Sequence, residues 1–422
     1  MMNVIITCNL ENQRMTFTFQ FEEGEPKSTS SKMIGTQFYV DVPKEVTIDD
    51  IHPDHIALCS FLVVRPWVAR TITFPRPISK PFAAAFEDFR LQVGPIDSEV
   101  SPYESRQGKY IGLAFSGGAD STAALSVLPR TTIPVFLNRP SVQNSLYDKE
   151  AAIESCKNLK KIGYQCLMVS CDLEMIRQPI GFPTDLANGV PAILLAQHLN
   201  LFGISYGTVF ESLYGIGRMK YRDYEETSHK RMWWDLFQAA GLPLTFPVAG
   251  ISEVGTELIC SKAHIGILAQ SCIRGTAKVP CYKCWKCFRK STLKISLGLE
   301  SENKELLEQL IDHKEVRSKL SKLPISHEDV LLYSFSRLDM SNYPKEFKVR
   351  FAHNFDLSFL EKWYTPASKY IDERIRKEVI INIKKFLKSM DSSDERHVKN
   401  WNNEARIENL QPLEYKLNHG EW

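Results

Sequence analysis

Apolar and polar residues alternate over a short segment in the first quarter of the chain. Residues 15–21 carry an apolar side chain at every second position, which is the period of a strand that is buried on one face. This pattern predicts a small α+β domain over residues 1–106. The other elements expected in it are a strand at 4–8, a helix at 54–64, a strand at 71–74, a helix at 82–91 and a linker rich in Pro, Ser and Gly at 94–108.

From residue 107 to about residue 300, short apolar runs alternate with helical segments. That alternation predicts an α/β fold with a Rossmann-like, mostly parallel sheet and helices on both faces. The strands are expected at 110–115, 133–137, 165–169, 204–209 and 244–248, and the helices at 121–128, 149–162, 185–201 and 229–240. Charged amphipathic helices, including 303–313 and 367–390, predict a mainly helical C-terminal region over residues 301–422.

The charge balance argues against a dedicated nucleic-acid binder. Lys and Arg total 52 against 50 for Asp and Glu, so the net charge of +2 provides no global basic field. A small-molecule or peptide substrate is favoured instead.

No apolar run is long enough to cross a bilayer, because the longest, 56–69, is short and is interrupted by Arg65 and Pro66. The N-terminus lacks the pattern of a secretory signal, so a cytoplasmic location with no membrane contact is expected. In that reducing compartment, the ten cysteines favour metal binding or burial over disulfides.

A glycine-rich loop follows the strand predicted at 110–115 and leads into a helix. It reads Ser116-Gly117-Gly118-Ala119-Asp120-Ser121. Two adjacent glycines let the backbone approach an anion closely, and the helix behind them presents free N–H groups and a positive dipole end. The serines add hydroxyl donors, and Asp120 is suited to the Mg²⁺ that accompanies an ATP tail. The alternative is a turn that binds no ligand.

This string fits neither the Walker A nor the dinucleotide-binding pattern. It resembles the Ser-Gly-Gly-x-Asp-Ser loop of the PP-loop ATP pyrophosphatases, in the adenine-nucleotide α-hydrolase-like (HUP) superfamily. The resemblance implies that residues 116–121 bind ATP, with Asp120 and Ser121 closest to the chemistry. It also implies attack of a substrate oxygen on the α-phosphorus, which yields an adenylated substrate and releases pyrophosphate.

Other candidate residues follow from the rule that such sheets bind ligands at the carboxyl ends of their strands. Asn138 and Arg139 are expected near the adenine and ribose, or form only a turn before Pro140. Glu211 is a candidate base or metal ligand, or a solvated loop acid. The further candidates are 170–172, Ser212, and the basic segments 218–222 and 229–231, which either clamp phosphates or form a solvated face.

Four cysteines lie close together after the last predicted strand. Cys272, Cys281, Cys284 and Cys287 have the spacing C-x8-C-x2-C-x2-C, which favours a closed, structural Zn²⁺ site. The nearby Lys and Arg residues, including Arg289 and Lys290, would offset the thiolate charge. An iron–sulfur cluster is the competing interpretation, and buried cysteines without metal are the simplest one.

A four-cysteine site after a PP-loop domain is similar to the 7-cyano-7-deazaguanine synthase family over residues 109–300. That resemblance implies activation of a carboxylate with release of AMP and pyrophosphate. The segment 206–212 and the flanking domains depart from the family. The domain order also resembles the ATP-dependent epimerase of UDP-N-acetylmuramoyl-L-alanyl-L-glutamate, which likewise activates a carboxylate.

Two further functions stay open. One is thiolation or amination of tRNA, which the charge balance disfavours. The other is a PP-loop component of a bacterial antiviral complex, because relatives of this kind occur in such gene clusters. A homodimer or a multi-protein complex is compatible with either class of function.

Overall fold

The computed structural model describes residues 3–22, 28, 31–142, 147–217, 219–301, 304–341, 343 and 345–410. Its strands are β1 (Asn3–Glu11), β2 (Arg14–Glu22), β3 (Lys32–Met33), β4 (Gln37–Asp41), β5 (Thr71–Ile78), β6 (Gln92–Ile96), β7 (Tyr110–Ala114), β8 (Ile133–Asn138), β9 (Leu167–Ser170), β10 (Arg177–Gln178), β11 (Leu201–Ser205) and β12 (Leu244–Thr245). Its α-helices are α1 (Pro53–Val64), α2 (Lys80–Ala84), α3 (Ala119–Val127), α4 (Glu150–Lys161), α5 (Val190–Leu194), α6 (Phe210–Tyr214), α7 (Asp235–Ala239), α8 (Glu253–Lys262), α9 (Trp285–Ser296), α10 (Lys304–Asp312), α11 (Lys314–Leu320), α12 (Glu328–Phe335), α13 (Lys345–Phe351), α14 (Glu373–Lys384) and α15 (Ser392–Lys399).

The N-terminal sheet is mixed, with the strand order β4-β2-β1-β5-β6. β1 and β2 form an antiparallel hairpin whose loop residues, Asn12 and Gln13, have φ values of 48° and 68°. Such loops match the right-handed twist of the two strands. The apolar face of β2 is buried, and there Phe17 stacks on Phe38 with ring centroids 4.6 Å apart. The strand predicted at 15–21 is confirmed.

The second sheet is parallel throughout, with the strand order β12-β11-β7-β8-β9. From β7 the chain builds outward through β8 and β9, and then crosses to β11 on the other side of β7. Sheets with this reversal open a ligand crevice at the carboxyl ends of the two strands where the order reverses. The prediction of a mixed α/β chain with a parallel sheet and a helical C-terminal region is confirmed.

Helices cover both faces of the parallel sheet. On one face, α5 lies against β7 and β8, and α1 packs between α5 and strand β5 of the N-terminal sheet. α1 is therefore buried on nearly every side, which explains its apolar sequence. On the other face, α3 contacts both α8 and α14, and these helices share one apolar cluster with α4.

The prediction of one continuous helix at 185–201 is wrong. The segment forms a 3-10 turn at Ala187–Gly189 followed by the short helix α5. A Cβ at Gly189 would lie 2.0 Å from the hydroxyl of Tyr206, so this turn is shaped by a contact across the fold. Pro191 fits the start of α5, where no backbone donor is needed.

Three other boundaries also differ from the pattern. The helix predicted at 367–390 is a 3-10 helix at Thr365–Tyr370 followed by α14, because the Asp372 carboxylate caps a new helix start. The helix predicted at 82–91 ends as α2 at Ala84. The linker predicted at 94–108 begins inside β6, which pairs with β5.

The C-terminal helices pack back onto the parallel-sheet half of the chain. α12 and α10 lie against α9, and α14 lies against α3. Among the residues that the structure describes, no helix has both the length and the apolar character needed to cross a membrane.

Candidate functional site

The loop after β7 turns sharply into the N-terminus of α3. Gly117 has a φ of +75°, in the left-handed region that favours glycine, and Gly118 directly precedes Ala119, the first helical residue. The Ser121 hydroxyl lies 3.1 Å from the Ser116 hydroxyl and donates to the Gly118 carbonyl at 3.2 Å. The predicted strand–loop–helix arrangement is present, and its serine side chains hold the loop closed on itself.

Gly207, just beyond the end of β11, lies against this loop. A Cβ at Gly207 would lie 2.9 Å from the backbone nitrogen of Ser121 and 2.9 Å from the carbonyl carbon of Asp120. The chain after β11 and the start of α3 can therefore touch only because residue 207 has no side chain. This contact puts the loop at the reversal point between β7 and β11.

The carboxylate of Asp120 contacts α8 and α9. Its Oδ1 accepts a hydrogen bond from the Thr256 hydroxyl at 2.9 Å and lies 3.9 Å from the Lys290 ammonium. The Asp120 side chain is 38% exposed, so it remains open to solvent beside these partners.

The Lys290 ammonium is buried among three carboxylates. Besides Asp120, its Nζ lies 3.1 Å from Glu257 and 3.3 Å from Glu253. Burial by itself would lower the pKa of Lys290, but Glu253, Glu257 and Asp120 outweigh it and raise the pKa, so the group stays charged. Lys290 was expected to offset thiolate charge, but its ammonium pairs with carboxylates beside the glycine-rich loop.

Glu253 contacts two further nitrogen-bearing side chains. Its carboxylate lies 2.6 Å from the Arg289 guanidinium and 2.7 Å from Nδ1 of His327. Burial would raise the pKa of Glu253, but Arg289 and Lys290 hold it well below its usual range. The Arg289 guanidinium is therefore paired with Glu253. His327 stands at the start of α12 with a φ of +59°, an uncommon conformation for a residue other than glycine.

Two carboxyl groups next to this network, those of Glu211 and Asp329, are buried, and burial favours their neutral form. Glu211 accepts a hydrogen bond from the Glu253 amide at 2.7 Å. Burial is the main cause that raises the pKa of Glu211 well above its usual value, and repulsion from Asp329 and Glu253 adds to it. Burial raises the pKa of Asp329 to about 7. Both side chains border Gly217. The interpretation of Glu211 as a solvated loop acid is wrong, because only 5% of this residue is exposed.

Two cavities flank these groups. A groove of about 1090 Å³ is lined by residues that include Glu211, Ser212, His327, Lys220 and Arg222. The second cavity, of about 420 Å³, lies between Ala119 of α3, Lys290 of α9 and the cysteine cluster.

β8 ends at Asn138 and Arg139 directly follows it, so both residues lie at the predicted carboxyl end of the strand. The Arg139 guanidinium lies 2.7 Å from the Glu174 carboxylate and 3.8 Å above the centre of the Tyr147 ring. Burial raises the pKa of Glu174 to about 7, against the lowering effect of Arg139. Within the described residues, the buried Oδ1 of Asn138 has no hydrogen-bond partner. Among the candidates at 170–172, Asp172 accepts a hydrogen bond from the Tyr39 amide of β4 at 2.7 Å.

Each of the basic segments 218–222 and 229–231 contains a residue that is paired with an acid. Lys220 lies 3.0 Å from Glu404, and His229 lies 3.0 Å from Asp185. These pairs favour the interpretation of a solvated face over that of a phosphate clamp. Arg218 lies outside the described residues.

The four predicted cysteines converge. Their sulfur atoms all lie within 4.8 Å of one another, so Cys272, Cys281, Cys284 and Cys287 could hold one metal ion. The Cys281 amide donates to the Cys272 sulfur at 3.3 Å, and the Cys287 amide donates to the Cys284 sulfur at 3.4 Å. Gly275 is needed in the loop between them, because a Cβ there would lie 2.1 Å from the Val279 carbonyl oxygen.

The cysteines outside the cluster behave as small apolar residues. Cys59, Cys156, Cys166 and Cys260 are buried as predicted, whereas Cys8 is only partly buried. Burial raises the pKa of Cys59 well above its usual value, as expected for an inert thiol.

Comparison with known proteins yields one similarity. Residues 232–402 match the model of a family of unknown function, DUF6395. The matched segment contains the cysteine cluster, Glu253, Lys290 and His327, but it begins after the glycine-rich loop at 116–121. No curated protein and no solved structure matches the chain.

Several residues of the site have no separate motif in the sequence. They are Glu253, Thr256, Glu257, Ser271, Lys290 and His327. Glu253 and Glu257 are four residues apart and share a face of α8, which is a visible signal. Their partner Lys290 is more than thirty residues away, and only the packing of α8 and α9 around α3 unites them.

Proposed function

We propose that this protein is a PP-loop ATP pyrophosphatase that uses ATP and Mg²⁺ to adenylate a substrate carboxylate, with release of AMP and pyrophosphate. One observation carries the proposal: Ser116–Ser121 join the central strand β7 to the N-terminus of α3 at the reversal point of a five-stranded parallel sheet. Counted from β7, the strand order is 3-2-1-4-5, which supports a sheet of the PP-loop and HUP type.

The surroundings of the loop suit a polyphosphate. Backbone amides at the start of α3 and the hydroxyls of Ser116 and Ser121 are suited to bind phosphate oxygens. The Lys290 ammonium, paired with Asp120, Glu253 and Glu257, holds the Asp120 carboxylate in place at the start of α3. The partnerless Oδ1 of Asn138, among the described residues, is a fitting acceptor for the amino group of adenine.

The acceptor is proposed to occupy the groove bordered by Glu211 and His327. A small-molecule or peptide carboxylate fits this reaction, as in the 7-cyano-7-deazaguanine synthases or the carboxylate-activating epimerase. The groove presents both acidic and basic side chains, so it does not select one of these over the other.

The metal of the cysteine cluster is proposed to be Zn²⁺ in a structural role. Four cysteine sulfurs would supply all the ligands of a tetrahedral Zn²⁺ ion and would leave no open position for catalysis. Purified protein should be colourless and contain one zinc per chain by elemental analysis. A brown protein with iron would instead establish the iron–sulfur interpretation. Thiolate ligands also agree with the proposed cytoplasmic location.

The test is incubation with α-labelled ATP, Mg²⁺ and a panel of carboxylates, with separation of AMP from ADP. We expect AMP and pyrophosphate that depend on the carboxylate. Asp120→Ala should reduce AMP formation about 100-fold or more, as for the loss of one preorganised electrostatic group. Asp97→Ala, outside the site, serves as the control.

Formation of ADP would contradict the proposal. A component of an antiviral complex that acts only as a scaffold would tolerate Asp120→Ala in its assembly and in its biological effect. A tRNA-modifying enzyme would form AMP only when tRNA replaces the carboxylate panel.

A further inference from the structure

Three consecutive residues join the phosphate loop to the cysteine cluster. We call Gln270, Ser271 and Cys272 the bridging segment. The Gln270 amide donates to the Gly117 carbonyl at 2.8 Å, and the Ser271 hydroxyl accepts a hydrogen bond from the Ala119 amide at 3.2 Å. The next residue, Cys272, belongs to the sulfur cluster.

The bridging segment is also tied to the loop that carries the cluster. The Gln270 side chain donates to the Thr276 carbonyl at 2.8 Å and accepts from the Lys278 amide at 2.7 Å. The amide of Cys281 in turn donates to the Cys272 sulfur at 3.3 Å. A metal ion that fixes the four sulfurs would therefore also fix Gln270 and Ser271.

Ser271 contacts the first backbone amide of α3. Ala119 begins α3, and its amide is one of the N–H groups that lack an acceptor within the helix. Ser271, Ala119 and the buried Lys290 line the same cavity of about 420 Å³. A hydroxyl can donate to a phosphate oxygen while it accepts from an amide, so Ser271 can extend the row of donors.

We propose that Ser271 is a further phosphate-binding residue, and that the metal on the cysteines sets its position, so that binding of metal and binding of a polyphosphate favour each other. The inference rests on the proposed ATP site. It assigns to the cysteine cluster a role beyond holding the fold together, because the cluster aligns a side chain of the phosphate site.

The free energy by which the two binding events favour each other is a coupling free energy, and it has the same value whichever ligand binds first. If bound zinc increases the affinity for pyrophosphate, then bound pyrophosphate must increase the affinity for zinc by the same factor. Couplings between linked sites are commonly about 5- to 150-fold, which is readily measured.

The experiment uses the zinc-loaded full chain with MgATP and inorganic pyrophosphate as probes. Calorimetry gives the Kd of each probe, and a coloured chelator reports zinc loss with and without the probe. We expect saturating pyrophosphate to improve zinc retention about fivefold or more, within the usual range of coupling. Because zinc is present at the start, the measurement does not require the metal-free chain to stay folded.

Three variants isolate the hydroxyl. Ser271→Ala should weaken both probes severalfold and abolish their effect on zinc retention, while zinc still binds. Ser271→Thr keeps the hydroxyl and should restore both properties. Ser261→Ala removes an exposed hydroxyl of α8 that donates to the Leu258 carbonyl within its own helix, and it should change neither property.

Unchanged binding and unchanged coupling in Ser271→Ala would overturn the inference and leave the proposed ATP site intact. The same holds if the unmodified chain binds the probes but pyrophosphate leaves zinc retention unaffected. A zinc-loaded chain that binds neither probe would overturn both this inference and the proposed function.

Discussion

The two five-stranded sheets of this chain differ in how they use their strands. In the N-terminal sheet, β1 and β2 are nine residues each, paired in an uninterrupted register, and β2 alternates between a buried and a more exposed face. In the parallel sheet, strands are at most six residues long and β7 is buried on both faces. The residues of the first sheet serve mainly to pack the core, whereas the strands of the second sheet lead into polar loops.

The difference follows from connectivity. A hairpin places neighbouring residues together, so its register is set locally by the turn at Asn12 and Gln13. Parallel strands need long crossovers, and their carboxyl ends gather loops from distant parts of the chain. We therefore expect substitutions in the first sheet to change stability alone, and substitutions at the edge of the second to change function with little loss of stability.

The largest expected effect is on the core of the N-terminal sheet. Phe17→Ala removes a fully buried ring that stacks on Phe38, and it should lower the free energy of unfolding by about 3–5 kcal/mol. Urea denaturation measures this loss, with Phe21→Ala at the partly exposed end of β2 as a milder control. Below the unfolding transition, the Kd for MgATP should not change. A weakened Kd would show that the two sheets are coupled.

The next effect concerns the edge of the parallel sheet. Ser121→Ala removes the hydroxyl that bonds Ser116 and Gly118, and it should lower AMP formation about 100-fold, as for the loss of one donor in a preorganised site. The melting temperature should stay close to that of the unmodified chain. Ser126→Ala, on the same helix but bonded to the Thr122 carbonyl, should leave AMP formation intact. Equal losses in the two variants would argue against a specific role for the loop.

His55 and Asp329 should make the stability of the protein change with pH in opposite directions. Burial lowers the pKa of His55 in α1 to about 3, so between pH 5 and 6.5 the unfolded chain binds a proton that the folded chain does not, and stability rises with pH. Asp329 behaves in the opposite way. With its pKa raised to about 7, the folded chain holds a proton that the unfolded chain has lost, and stability falls as pH rises.

Each group contributes a slope of at most about 1.4 kcal/mol per pH unit, the free energy of one pKa unit. Relative to the unmodified chain, His55→Gln should make the slope of unfolding free energy against pH more negative. Asp329→Asn should make it more positive. Chemical denaturation at pH 5.0, 5.5, 6.0 and 6.5 measures both slopes, and two variants with parallel slopes would refute the assignment.

The smallest effect is expected at the surface of the N-terminal sheet. Arg14 and Asp41 form a two-pronged ion pair across β2 and β4, with contacts of 2.7 and 3.1 Å. Arg14 is half exposed, so Asp41→Asn should cost about 0.2–1 kcal/mol, a loss that high salt diminishes. A larger loss that is insensitive to salt would mean that the pair fixes the register of the strands.

The hydrophobic pattern was most informative where interactions are local. The alternation at 15–21 and the apolar helix at 54–64 predicted β2 and α1 closely. The pattern failed at 185–201, where contact with Tyr206 breaks the helix. Likewise, it placed the strand at 204–209, whereas β11 is Leu201–Ser205, because a continuous apolar run does not mark where a buried strand ends.

The sequence by itself determined the two motifs that have short spacing: the diglycine loop between a strand and a helix, and the four clustered cysteines. Short loops can bring such residues together without help from the rest of the fold. Only the tertiary structure decided that Lys290 pairs with Asp120, that Glu211 is buried, and that Ser271 connects the two motifs. These contacts join residues far apart in the chain, and the packing of α3, α8 and α9 at the edge of the parallel sheet brings them together.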